Sequence, residues 1–171
     1  MVGYHIQNHF KDWSLWIPTK DVGVDFLVTN RDNHRSASLQ VKYGKDFLPG
    51  KPKDLQKQFR CLSWFTLDEK KLDQSHAEFW VFVLHSFTSD NPDFVVIPKA
   101  ELRQLAKRIQ VSRGKMQVYL SSTKDRCWQT RGLGLAAMRQ LAAGAYRKPI
   151  IEFTPYLNDN GWAALARTLN R

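Results

Sequence analysis

Apolar and polar positions alternate with a period of two across residues 22–29 (VGVDFLVT) and again across residues 36–43 (SASLQVKY). That period belongs to a strand with one buried face. The segment between them, NRDNHR, is rich in turn formers, so the pair predicts an antiparallel hairpin centred between Asp32 and Asn33. Asp25 then falls opposite Gln40, and Gly23 opposite Lys42. One face carries Val24, Phe26, Val28, Ala37, Leu39 and Val41. The other carries Gly23, Asp25, Leu27, Thr29, Ser36, Ser38, Gln40 and Lys42. A slip of one residue would set apolar side chains against polar ones, so the register is well specified.

The rest of the chain reads as a mixture of helices and strands. Ile6, Phe10 and Trp13 give residues 5–13 helical spacing, and residues 14–17 are extended before Pro18. Residues 52–65 predict a helix with Pro52 in its first turn and Leu55, Phe59 and Leu62 on one face. The charged stretch 67–75 reads as a surface connection. Residues 78–86 contain the apolar run FWVFVLH, which suits a strand covered on both faces. A short strand follows at 94–97, closed by Pro98. A helix over 100–109 has Leu102, Leu105, Ala106 and Ile109 as its stripe. Further strands are expected at 116–120 and 150–153, and an Ala-rich helix over 132–146. A last helix over 161–169 turns Trp162, Leu165, Ala166 and Leu169 inward, capped by Asn158 or Asn160. No repeat, low-complexity tract or clear linker breaks the chain, so residues 1–171 predict one α/β domain.

With 171 residues, 43% of them hydrophobic, and six Trp and ten Phe, the chain can build a core and is not of the disordered class. It has no apolar run of membrane-spanning length, and MVGYHIQNHF lacks the pattern of a signal peptide. Cys61 and Cys127 show no metal or redox spacing. A cytoplasmic protein with free thiols is the simpler expectation, with one disulfide left open.

Charge adds a second theme. The net charge is +10, and residues 99–148 hold twelve Lys or Arg against Glu101 and Asp125, leaving the remainder near neutral. Such concentration points to an anionic partner, most often nucleic acid. The candidate phosphate contacts are Lys45, then Arg103, Lys107 and Arg108 on one helix, then Arg113 and Lys115. Lys124, Arg126 and Arg131 surround Trp128. An aromatic among basic residues can stack on a base, although Trp128 reads more readily as core. Phosphate contacts of this kind supply affinity and little sequence information.

In the predicted register Asp25 and Gln40 are roughly 5 Å apart at Cβ, close enough to interact directly. Lys42 lies two residues along the same face, roughly 7 Å away, and its stem can reach back. Asp25, the Gln40 amide oxygen and the Val41 backbone carbonyl are oxygen donors suited to a hard cation such as Mg2+. Lys42 can orient a water or steady charge on phosphoryl oxygens, so the set suits metal-assisted phosphodiester hydrolysis. The plainer alternative is the solvated polar face of a hairpin. Asp21 reads as a turn residue and Glu78 as a strand-edge residue.

The stretch GVDFLVTN, a turn, and SLQVKYGK resembles the PD-(D/E)xK, or restriction-endonuclease-like, nuclease superfamily. Asp25, Gln40 and Lys42 match position by position the variant with Gln in place of the second acid, as in Mrr-like branches. The likeness is close over residues 22–45; the next helix and the strands at Phe79 and Phe94 agree in order only. It implies a mixed central sheet flanked by helices, DNA cleavage with Mg2+ or Mn2+, and in many cases a homodimer. Two departures accompany it. No acid precedes Asp12, so His5, Gln7 or His9 stand where relatives place a helical Glu, and Gln40 removes a formal charge. The leading expectation is a metal-dependent DNA endonuclease. The alternatives are a catalytically impaired, nuclease-like DNA-binding module and, third, a protein-assembly subunit suggested by the small-residue helix.

Overall fold

The computed structural model describes residues 1–20, 23–86, 91–109, 111–112 (backbone only) and 114–170. Its first elements are α1 (Val2–His9), β1 (Ser14–Trp16), β2 (Phe26–Thr29), β3 (Ser36–Tyr43) and β4 (Lys45–Asp46). A single 3-10 turn leads to α2 (Lys53–Gln58), β5 (Cys61–Asp68), α3 (Glu69–Gln74), β6 (Phe79–Leu84) and β7 (Asp93–Pro98). Then come α4 (Lys99–Ala106), β8 (Val111–Ser112), β9 (Lys115–Ser122), β10 (Cys127–Gln129), α5 (Leu135–Ala142) and α6 (Asp159–Leu169).

The hairpin forms in the register that alternation predicts, with Phe26 opposite Leu39 and Val28 opposite Ala37. It belongs to a mixed sheet of order β1-β2-β3-β6-β7, in which β3 and β6 run parallel and the other pairs antiparallel. Val28, Ala37 and Leu39 are fully buried, and their face continues through Val81, Val83, Phe94 and Val96. Helices α1 and α6 cover it with Val2, Ile6, Trp162, Leu165 and Leu169. Each such side chain removed from water contributes about 1.5–3 kcal/mol. Every residue of β6 is buried, as its unbroken apolar run predicts.

Helix α6 approaches β7 closely. A Cβ on Gly161 would lie 2.2 Å from the Tyr156 carbonyl oxygen and 2.8 Å from that of Val96, so only glycine fits. Asn158 is the residue at the start of this helix, but its side chain does not cap it. It reaches β7 instead, where Oδ1 accepts from the Phe94 amide at 2.7 Å and Nδ2 donates to Asp93 at 3.0 Å.

The other face of the mixed sheet is covered differently. A second, antiparallel sheet of order β4-β5-β9-β10, with β8 paired to β9, packs Phe65, Leu67, Val118 and Leu120 against Trp80, Phe82, Val95 and Ile97. Leu72 of α3 and Leu102 of α4 complete this layer. The architecture is therefore α/β, a central mixed sheet with helices on one face and a second sheet plus two helices on the other.

Strand β5 corrects the expected helix over 52–65. Helix α2 ends at Gln58, and the chain then alternates Ser63, Phe65 and Leu67 inward with exposed Trp64 and Thr66. A period-two pattern of β-forming residues outweighs the helical spacing of Leu55, Phe59 and Leu62. Residues 67–75 are not a loose connection. They end β5 and form α3, whose first turn is capped by Asp68 accepting from the Lys71 amide at 3.0 Å. Strand β10 is a further addition, and residues 150–153 contribute a single bridge from Glu152 to Trp128. Both cysteines are free and buried. Among the described residues no helix is long and apolar enough to cross a membrane.

Candidate active site

Asp25 lies one residue before β2, and its amide donates to the carbonyl of Leu39 at 2.8 Å, although Leu39 is the register partner of Phe26, so the ladder ends here in an irregular step. This backbone bond fixes the side chain on the face shared with Gln40. Asp25 Oδ2 accepts from Gln40 Nε2 at 2.5 Å and from the Val41 amide at 2.6 Å. No described residue donates a hydrogen bond to Oδ1. A carboxylate accepts only, so the Gln40 amide must present its NH2 group to Asp25 and turn Oε1 away. That oxygen lies 3.6 Å from where a Cβ on Gly23 would stand, and Gly23 has a φ of +78°, a conformation glycine adopts without strain.

Lys42 is two residues further along the same face. Its Nζ lies 5.5 Å from the centre of the Trp80 ring, within reach of a cation–π attraction. Trp80 is the partner of Gln40 in the parallel β3–β6 register and is only 3% exposed. Asp25, Gln40, Val41, Lys42 and Trp80 line one cleft of about 470 Å³, with Gly23 at its rim.

The opposite wall comes from α3, through Lys71, Gln74 and Ser75. These were not singled out from sequence, because their segment reads as a charged connection. The signal for them is the cap formed by Asp68 three residues before Lys71, with Leu72 as an inward anchor. Helix α4 holds this wall in place. Arg103 pairs with Asp73 at 2.7 Å, and Lys99 Nζ donates to the carbonyls of Asp73 at 2.9 Å and Ser75 at 2.5 Å.

Other candidates lie elsewhere. Glu78 accepts from the Ser38 amide at 2.9 Å and from its hydroxyl at 3.2 Å, at the strand edge as expected. Helix α1 packs on the far face of the sheet, so His5, Gln7 and His9 do not complete this cleft. His5 instead lies against Trp162 and Phe94, with ring centres 5.2 and 4.6 Å away. Burial, then the neighbouring His9, push its pKa down to about 4 against a weaker upward pull from Asp159. Asp21 and Arg113 lie outside the described residues.

Among the basic candidates, Lys45, Lys107, Arg108, Lys115, Lys124 and Arg131 are exposed. Arg103 is held by Asp73, and Arg126 by Glu152 at 2.9 Å. Trp128 is 1% exposed beneath Arg126, so it is core and not a stacking platform.

The cleft thus presents one carboxylate oxygen, one amide oxygen and an ammonium on a rigid sheet. Among the described residues no three His, Cys, Asp or Glu side chains converge on a common point. The donors in the cleft are oxygens, the type a hard divalent cation takes, and a single carboxylate leaves most of its shell to water and substrate oxygens. Comparison of the chain with known protein families, with curated proteins and with solved structures finds no match.

Proposed function

We propose that this protein is a metal-dependent DNA endonuclease with a restriction-endonuclease-like core, hydrolysing phosphodiester bonds in the cleft beside β3. The observation that carries this reading is the presence of Asp25, Gln40 and Lys42 in one cleft, on one face of the hairpin. The parallel β3–β6 pair and the basic stretch 99–148 support it.

The residues present fit Mg2+ or Mn2+. Asp25 Oδ1 makes no other hydrogen bond to a described residue, and Gln40 Oε1 is turned away from Asp25. Asp25, Gln40 and the Val41 carbonyl would hold the ion. When bound, it supplies a Lewis acid for a phosphoryl oxygen and lowers the pKa of a bound water. The chain's own groups do the rest. The Val41 amide and the Gln40 NH2 group fix the carboxylate, so it need not reorganise when substrate arrives. Lys42 donates to phosphoryl oxygens as charge develops on them, and Trp80 holds its ammonium over an apolar floor. Lys71 across the cleft adds a second cation for the phosphate backbone.

The test is cleavage of plasmid, branched and single-stranded DNA in Mg2+ or Mn2+ by the parent protein, Asp25→Ala and Lys42→Ala. Cleavage by the parent that both substitutions abolish supports the reading. Equal cleavage by all three, or none by any, rejects it. A second reading is favoured by one feature: Oδ2 of Asp25 is already committed to two N–H donors, and among the described residues no second carboxylate lines the cleft. On that reading the protein is a nuclease-like DNA-binding module, which salt-sensitive binding without cleavage would identify.

A further inference from the structure

The outer face of the second sheet is only half covered. Helices α2 and α5 bury the end around Leu62 and Trp128. The other end is open and aromatic. Trp64 is 42% exposed and pairs across β5–β9 with Tyr119, ring centres 6.2 Å apart and planes 30° from parallel. Phe47, half-buried against the covered end, meets the half-buried Tyr119 edge-on at 5.8 Å. The Trp64 indole is locked by donating its N–H to Gln117 Oε1, so its orientation is set by the sheet.

Two lysines bracket these rings. Lys45 is the cross-strand partner of Trp64, and Lys51 Nζ lies 5.3 Å from the centre of the Phe47 ring. The neighbouring outward positions, Thr66 and Gln117, are uncharged. Protein interfaces enrich Trp and Tyr but deplete Lys at their centres. Rigid rings flanked by ammonium groups match a different partner, a chain of planar bases joined by phosphates.

We infer that Trp64, Tyr119 and Phe47, with Lys45 and Lys51, form a stacking strip for single-stranded nucleic acid. Bases of a duplex are stacked on one another and cannot reach these rings, so the strip selects unpaired strands. Lys45 follows Lys42 by three residues, so their Cα atoms lie within roughly 10 Å of each other. The assignment of the strip as substrate-holding rests on the nuclease reading; its binding of single strands does not.

The experiment measures fluorescence anisotropy of a labelled oligothymidylate, and of a duplex of equal length, with the full chain in EDTA at fixed low salt. EDTA removes cleavage from the readout, so failure of the nuclease reading leaves this result standing. The single strand is expected to bind more tightly than the duplex. Trp64→Ala and Tyr119→Ala should each weaken single-strand binding roughly tenfold or more. Trp64→Phe should retain most of it, which excludes misfolding as the cause. Tyr4→Ala, at a still more exposed aromatic on α1, should change nothing. Equal affinity for duplex and single strand overturns the inference, as does unchanged affinity in both alanine variants or no binding by the parent.

Discussion

Gln40 gives its side-chain NH2 group to the carboxylate of Asp25 at 2.5 Å, and thereby keeps its own oxygen for something else. A glutamate here would set two carboxylates against each other. The amide lets the pair sit together without a cation. On the proposed function, this makes the fold of the site independent of metal and leaves binding of a divalent cation to be strengthened by substrate.

Gln40→Glu should reverse that balance. Without a divalent cation it loses the hydrogen bond and places a second negative charge in a nearly buried position, costing on the order of 2–3 kcal/mol. With Mg2+ or Mn2+ the two carboxylates gain a shared partner, and stability returns by linkage. Thermal unfolding with and without the cation checks this. The expected result is a cation-dependent rise in Tm for Gln40→Glu that clearly exceeds that of the parent.

His5 supplies a pH dependence away from the site. Its pKa is lowered in the fold from 6.5 to about 4, so the fold favours the neutral ring. The unfolded chain takes up the proton first as pH falls. Stability from this group is complete above about pH 6.5 and is lost on descent toward about pH 4, by on the order of 1–2 kcal/mol after allowing for its partial exposure. Tm measured across that window should fall less steeply for His5→Phe than for the parent.

The thiols should be inert in the native state. Burial pushes Cys61 up to about 12 and Cys127 well above the usual thiol range, so neither supplies thiolate near neutral pH. Iodoacetamide should label neither residue until denaturant is added. Rapid labelling of either under native conditions would show that the layer between the sheets opens locally.

Much of the site was legible in the sequence because its signal is local. Alternation across two adjacent strands fixes the register from Phe26 opposite Leu39 onward, and the side-chain bond to Gln40 then joins Asp25 just beyond the end of that ladder. The missed parts depend on distant contacts. Trp64 and Thr66 alternate with Phe65 and Leu67 only because the central mixed sheet covers one face of β5, and the helical spacing of Leu55, Phe59 and Leu62 masks that pattern. The α3 wall of the cleft was hidden for the same reason, since its charged residues look solvated until Arg103 and Lys99 are seen to hold them. Trp128, read more readily as core than as a stacking residue, does lie under α2 and α5, whereas Trp64, inside the expected helix, is exposed.

The cleft itself is tested most directly by anomalous diffraction from crystals of Asp25-intact protein grown with Mn2+ and a DNA strand. The expected result is a manganese peak contacting Asp25 Oδ1 and Gln40 Oε1, with a phosphate oxygen in its shell and Lys42 Nζ beside that phosphate. A map in which DNA is bound but manganese lies away from Asp25, or in which the phosphate avoids the cleft, would contradict it.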